Sequence, residues 1–123
     1  MRLCSPAARP RRRRTFEGVE YWSGGVGEEE REELRFLALQ YSLKVVTARR
    51  RDQGYVAGVR LTVLRSGTIV LDAVMDGPWL VADLRPGRYL VQAELRRERV
   101  TRELVLAGSA RRELVFVFND LEE

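Results

Sequence analysis

The chain has 123 residues, of which 45% are hydrophobic, with a net charge of +4, and these values fit one domain with a single core. It contains no histidine, which removes the commonest general base and the commonest metal ligand from consideration. Its one cysteine, Cys4, cannot form an intrachain disulfide, and no apolar run is long enough for a transmembrane helix.

Residues 1–16 are predicted to form a disordered, arginine-rich leader. The first fourteen residues hold six arginines and no acid, so the rest of the chain carries 16 basic and 18 acidic groups, a net charge of −2. Few large apolar side chains are available here to offset the entropy of ordering the chain. The arginine block could contact nucleic acid or another polyanion without sequence specificity, through Arg11, Arg12, Arg13 and Arg14.

Residues 17–41 are predicted to form a linker and an acidic amphipathic helix. The glycines of 23–27 suit a turn, and the stretch 28–40 contains neither Gly nor Pro. Its first turns are rich in glutamate, which the helix dipole favours near an N-terminus. One face carries the apolar side chains at helical spacing, and we expect it to pack against an edge or open end of the next domain: Leu34, Leu37, Ala38 and Tyr41.

Residues 42–118 are predicted to form a β-sandwich, followed by a tail at 119–123. From residue 42 the apolar pattern changes to a period of two, and Gly or Pro turn signals interrupt it at near-regular intervals. Such a series is typical of a sandwich rather than a parallel sheet. Seven strands are predicted, at 43–49, 56–64, 68–74, 79–84, 88–95, 100–106 and 112–118.

The alternation also predicts which side chains face the core. The opposite faces of the same strands are mostly polar, as a sheet with one solvated side requires. The predicted core consists of Val59, Leu61, Val63, Ile69, Leu71, Ala73, Tyr89, Val91, Ala93, Leu95, Leu104, Leu106, Leu114, Phe116 and Phe118.

The segment 84–89, LRPGRY, continues with alternating Val and Ala, and resembles the L-x-P-G-x-Y-x-V-x-A signature of the carboxypeptidase regulatory-like modules. These modules belong to the transthyretin-like, or prealbumin-like, group of β-sandwiches. The resemblance implies an Ig-like Greek-key sandwich with Pro86 and Gly87 in a turn and Tyr89 opening a strand. A hydrolase of 5-hydroxyisourate shares this fold, but its catalytic histidines have no counterpart here.

A second resemblance is to small bacterial members of the same group. The segments 23–29, SGGVGEE, and 71–80, LDAVMDGPWL, are similar to segments of exported, envelope-side modules that usually begin with a signal peptide. The leader 1–14 replaces that signal in this chain. Two explanations stay open: the protein is not exported and is cytoplasmic, or the true start lies upstream and the protein is periplasmic.

Three aromatic side chains are candidates for partner contact, because exposed aromatics often mark interfaces. Trp79 either packs at the core or edge of the sandwich or anchors a partner. Tyr21 and Trp22 either clasp the N-terminal segment onto the sheet with the helix or offer contacts to a partner. Three aspartates could supply oxygen ligands to a cation, although a structural role is the commoner explanation, as in a turn at Asp76-Gly77: Asp72, Asp76 and Asp83.

These observations predict a non-catalytic binding or structural module of the bacterial envelope that contacts an unknown protein or ligand through its loops. No cofactor, metal ion or catalytic residue is predicted, and without histidine the Ser, Thr and Tyr hydroxyls lack the usual activating base. The alternative is a cytoplasmic protein that associates with nucleic acid through its arginine-rich leader. Oligomeric state is not predicted.

Overall fold

The computed structural model describes residues 14–50, 54, 56–108 and 111–119. Within these ranges the chain forms one helix, eight strands of four or more residues, and one strand of three residues. In chain order they are β1 (Arg14–Phe16), β2 (Val19–Gly24), α1 (Glu28–Leu37), β3 (Leu43–Arg49), β4 (Arg60–Arg65), β5 (Thr68–Val74), β6 (Trp79–Ala82), β7 (Gly87–Leu95), β8 (Glu98–Leu106) and β9 (Arg112–Phe118).

The strands form two sheets, as expected for a mainly β sandwich. One sheet has the order β1-β2-β6-β3-β9 and the other β5-β4-β7-β8. All neighbouring strands are antiparallel except β3 and β9, which run parallel. The chain passes from one sheet to the other after β3, β5, β6 and β8, so strands that are adjacent in sequence often lie in different sheets.

The main core lies between the sheets. Alternate residues of each strand point inward, which is the consequence of the two-residue period of a β-strand. Large side chains from both sheets are completely buried there, among them Phe116 and Phe118 from β9, Leu43 and Val45 from β3, and Leu61 from β4.

The seven predicted strands are all present. β3, β5 and β9 have the predicted bounds, β4 differs at both ends, and the other three differ by one or two residues at one end. The structure corrects the strand count, because β1 and β2 arise from segments predicted as leader and linker. A turn at Glu17 and Gly18, both with positive φ, joins them, and β2 pairs with β6 in register Tyr21↔Ala82.

The structure also corrects the position of Ile69, which is predicted to face the core but is 45% exposed. Leu64 pairs with Ile69 and Val63 pairs with Leu71, so the register shifts between these two pairs and β5 carries one extra residue. Such a bulge reverses the inward and outward alternation at the start of the strand. Val70 therefore packs against the core in place of Ile69, while Leu95 and Leu114 are only partly buried.

Helix α1 lies across the outer face of the five-stranded sheet, and not at an edge or open end as predicted. Leu34 is completely buried against side chains that β3 and β6 present on that face. The predicted apolar face is otherwise correct, with Leu37, Ala38 and Tyr41 packed around the same small cluster. The sheet is thus buried on both sides at its centre, and every residue of β6 is buried.

Within the described part of the chain, no helix has the length and apolar character that crossing a membrane would require.

Candidate functional site

A cleft opens at one end of the sandwich, where five connections between elements converge. These are the β1–β2 turn, the segment between α1 and β3, the β4–β5 turn, the β6–β7 loop and the β8–β9 loop. The cleft has a volume of about 1170 Å³ and is called the end cleft below. Its lining is distributed over most of the sequence, so only the folded chain assembles it.

Three arginines from three of these connections line the end cleft. Arg65 ends β4, Arg85 lies in the β6–β7 loop, and Arg111 precedes β9. All three are exposed, and none is within ion-pair distance of a carboxylate of the described residues. Elsewhere Arg60 pairs with Asp72 at 2.9 Å. The cleft therefore presents guanidinium groups that the described part of the protein does not neutralise by ion pairing.

The contacts that these arginines do make hold them at the cleft without neutralising their charge. The guanidinium carbon of Arg65 lies 5.6 Å from the centroid of the Tyr89 ring. Arg111 donates a 2.8 Å hydrogen bond to the carbonyl oxygen of Leu39, in the segment that follows α1. A guanidinium carries five N–H donors, so Arg111 keeps donors available for a ligand.

The β6–β7 loop, which carries Arg85, is fixed by hydrogen bonds on both sides. Ser42 Oγ accepts from the amide of Leu84 at 2.8 Å and donates to the Leu84 carbonyl at 3.0 Å. On the other side, Tyr89 Oη donates to the carbonyl of Arg85 at 2.6 Å. The Pro-Gly-x-Tyr corner therefore positions one wall of the cleft as well as starting a strand.

Gly87 suits this corner chiefly through its backbone conformation. Its φ of 155° lies in a region that side-chain-bearing residues rarely adopt, and a Cβ built there would be 3.1 Å from the Arg65 guanidinium. The absence of a side chain leaves the space that Arg65 occupies over Tyr89.

Two of the three aromatic candidates are buried. Trp79 is 4% exposed and packs beneath α1, whereas Tyr21 is 8% exposed and faces the main core between the sheets, away from the helix. The Trp79 ring lies in the cluster beneath α1, with Lys44 Nζ 4.0 Å and Arg35 Cζ 5.4 Å from its centroid. Trp22 is partly buried on the same face, so it has the largest exposed fraction of the three aromatics.

The arginine block of the leader lies almost wholly outside the described residues. Arg11, Arg12 and Arg13 lie outside the described residues, as does Cys4. Arg14 begins β1, and only its backbone position is described. Contact with nucleic acid through these residues stays a prediction.

The three aspartates considered as cation ligands lie apart in separate environments. Asp72 accepts two hydrogen bonds from Arg60, and this lowers the pKa of Asp72 below its ordinary value of 3.8. The backbone amide of Asp76 donates to Ser23 Oγ, whereas Asp83 lines the end cleft. In the described ranges, no group of three or more acidic or cysteine side chains is arranged to hold a metal ion.

The end cleft is suited to binding. The Ser42 hydroxyl on its wall is engaged with backbone groups of β6 and the β6–β7 loop. Charge-assisted hydrogen bonds from arginine and contacts with exposed Leu39 and Ile69 are the interactions that the cleft offers. Reasoning from sequence predicted a site among the loops but did not select these arginines, because each lies beside an ordinary turn signal.

No protein-family model matches the chain, and no curated protein matches it either.

Proposed function

We propose that the protein is a non-catalytic binding module that holds a ligand or a segment of a partner in the end cleft. The convergence of five connections around a charged and partly apolar concavity is the observation that supports this function. Its volume of about 1170 Å³ exceeds the ~300–1,000 Å³ of most small-molecule sites. The absence of histidine from the whole chain argues for binding rather than catalysis.

The scaffold, in this proposal, is a prealbumin-like sandwich of the carboxypeptidase regulatory-like type. The Pro86–Tyr89 motif supports it, as does the division of the seven strands after α1 into three in one sheet and four in the other. The resemblance of residues 23–29 and 71–80 to exported bacterial modules supports a periplasmic location. Fractionation of the native bacterium tests that location, and recovery of the protein with cytoplasmic markers contradicts it.

Obstruction of the end cleft tests the binding function. Thr68 is exposed on the cleft wall at the start of β5, and Thr68→Trp would place a large side chain there. Thr101→Trp is the matched control, since Thr101 is an exposed strand residue on β8 that does not line the cleft. The assay is a thermal-shift screen of metabolites and short peptides against all three proteins.

Compounds that raise the melting temperature of the wild type and of Thr101→Trp, but not of Thr68→Trp, support the proposal. A ligand at 100 times its Kd adds about 2.7 kcal/mol of stability, which is a shift of several degrees for a domain of this size. Equal stabilisation of Thr68→Trp, or no stabilising compound in the screen, contradicts it.

Association of the leader with nucleic acid is the alternative function, supported by six arginines and no acid in the first fourteen residues. Such binding would weaken steeply with salt and would require residues 1–13. An electrophoretic mobility assay with and without those residues distinguishes this function from that of the binding module, because the deletion leaves the end cleft intact.

A further inference from the structure

We infer that the end cleft recognises an acidic peptide segment in which apolar side chains separate the carboxylates. This inference rests on the binding function proposed above and specifies the chemistry of the partner. It follows from three properties of the cleft: its charge, its exposed apolar groups and the place of its two acids.

Charge is the first property. Arg65, Arg85 and Arg111 present three guanidinium groups from three separate connections, and each lacks a carboxylate partner among the described residues. Arginine binds carboxylate in a bidentate, charge-assisted geometry. Several carboxylates spaced along one ligand can therefore be bound at once.

Exposed apolar groups are the second property. Leu39 is 58% exposed and Ile69 is 45% exposed, and both line the same cleft as the arginines. Ile69 faces outward because of the bulge at the start of β5, so the backbone irregularity directs an apolar side chain toward the cleft. A ligand with apolar side chains between its acids would cover both groups.

The acids of the lining, Glu17 and Asp83, favour a peptide over nucleic acid. They would repel the continuous charge of a phosphate backbone, whereas a peptide can place neutral groups or amide donors beside them. Among the described residues, the lining also lacks an exposed aromatic side chain on which a base could stack. Tyr89 is buried, and Tyr41 is partly buried and accepts a hydrogen bond from Trp22.

Three fluorescein-labelled decapeptides test the inference by fluorescence anisotropy with the full-length chain. Each has Leu at alternate positions, and the intervening positions are all Glu, all Gln or all Lys. The Glu peptide is expected to bind at least about tenfold more tightly than the Gln peptide, and the Lys peptide not measurably. A labelled oligothymidylate of ten nucleotides is the fourth probe.

Single substitutions assign the effect to the cleft. Arg65→Gln, Arg85→Gln and Arg111→Gln are each expected to weaken binding of the Glu peptide by about three- to tenfold. Arg97→Gln is the control, because Arg97 is exposed in the β7–β8 turn at the opposite end of the sandwich. Melting temperatures of all four variants show whether the fold is retained.

The outcomes separate this inference from the proposal on which it rests. Equal binding of the Glu and Gln peptides, with loss only in Thr68→Trp, overturns the charge recognition and leaves the binding cleft in place. If the oligothymidylate binds and the Glu peptide does not, and if the cleft substitutions weaken the oligothymidylate binding, the inference that the ligand is a peptide is overturned. If no peptide binds the wild type, the inference fails. The thermal-shift screen of metabolites and short peptides then tests the binding function separately.

Discussion

Trp22 Nε1 donates a 2.8 Å hydrogen bond to Tyr41 Oη, which joins β2 to the segment that follows α1. Tyr41 Oη in turn lies 3.4 Å from a carboxylate oxygen of Glu20, which precedes Trp22 by two residues on β2 and so shares its face. The helix is therefore bracketed by an apolar contact at Leu34 and a polar one at its C-terminal end. The polar contact fixes the position of the helix on the sheet, in addition to the apolar surface that the helix buries there.

Tyr41→Phe should lower the free energy of unfolding by about 1 kcal/mol, because it removes the acceptor of a partly buried indole N–H. Urea denaturation followed by circular dichroism measures the change. A double-mutant cycle with Trp22→Phe should give a coupling energy of about 0.5–1 kcal/mol. Additive effects of the two substitutions would show that the hydrogen bond does not contribute.

Leu34→Ala should cost about 2–4 kcal/mol of stability, since Leu34 is completely buried between the helix and the sheet. The tryptophan emission should shift to the red as Trp79 becomes accessible to water. Leu39→Ala, a control at a residue that is 58% exposed, should change stability by less than about 0.5 kcal/mol. Similar costs for the two variants would contradict the described position of the helix.

Gly77→Ala should destabilise the protein by about 2 kcal/mol or more, for a steric reason. A Cβ at Gly77 would lie 2.3 Å from the carbonyl oxygen of Gly24, so the backbone of β2 would have to move. Gly67→Ala separates this effect from backbone strain, because Gly67 has a φ of 81° and no atom near the built Cβ. We expect Gly67→Ala to cost about 1–2 kcal/mol of stability. A smaller cost for Gly77→Ala than for Gly67→Ala would contradict the close approach of Gly77 to the Gly24 carbonyl oxygen.

Asp72→Asn should change the dependence of stability on pH. The hydrogen bonds from Arg60 lower the pKa of Asp72 below 3.8, so this pair stabilises the fold above that value and is lost as pH falls through the lower pKa of the folded state. The wild type should therefore exceed Asp72→Asn in stability at pH 7, by a small margin because the Arg60 side chain is exposed to solvent. The margin should shrink progressively as pH falls below 3.8, and a margin that does not change with pH in the acid range contradicts the assignment.

Much of the sandwich could be predicted from the sequence because its strands obey a two-residue period. Residues such as Leu61, Val63 and Phe116 are buried where the alternation places them. Ile69 was assigned to the wrong face because a bulge inserts one residue, and a bulge has no signal in the alternation itself. β1 and β2 were missed because their pairing depends on β6, more than fifty residues away in the chain.

The candidate site was less accessible to sequence reasoning, for a related reason. Arg65, Arg85 and Arg111 are separated by about twenty residues or more, and each lies near an ordinary turn. Only the arrangement of strands in two sheets brings them to the same end. By contrast, the apolar spacing of Leu34 and Tyr41 correctly predicted the inner face of α1, because a helix face is set by local periodicity.

The parallel pairing of β3 with β9 has a consequence for synthesis of the chain. β3 occupies an interior position in its sheet between β6 and β9, and β9 is synthesised later than every other strand described in this domain. Until residue 118 has emerged, one edge of β3 has no partner and the core lacks Phe116 and Phe118. Pairings of such long sequence separation slow folding to milliseconds or longer, so the domain should complete its fold only after its last strand is released.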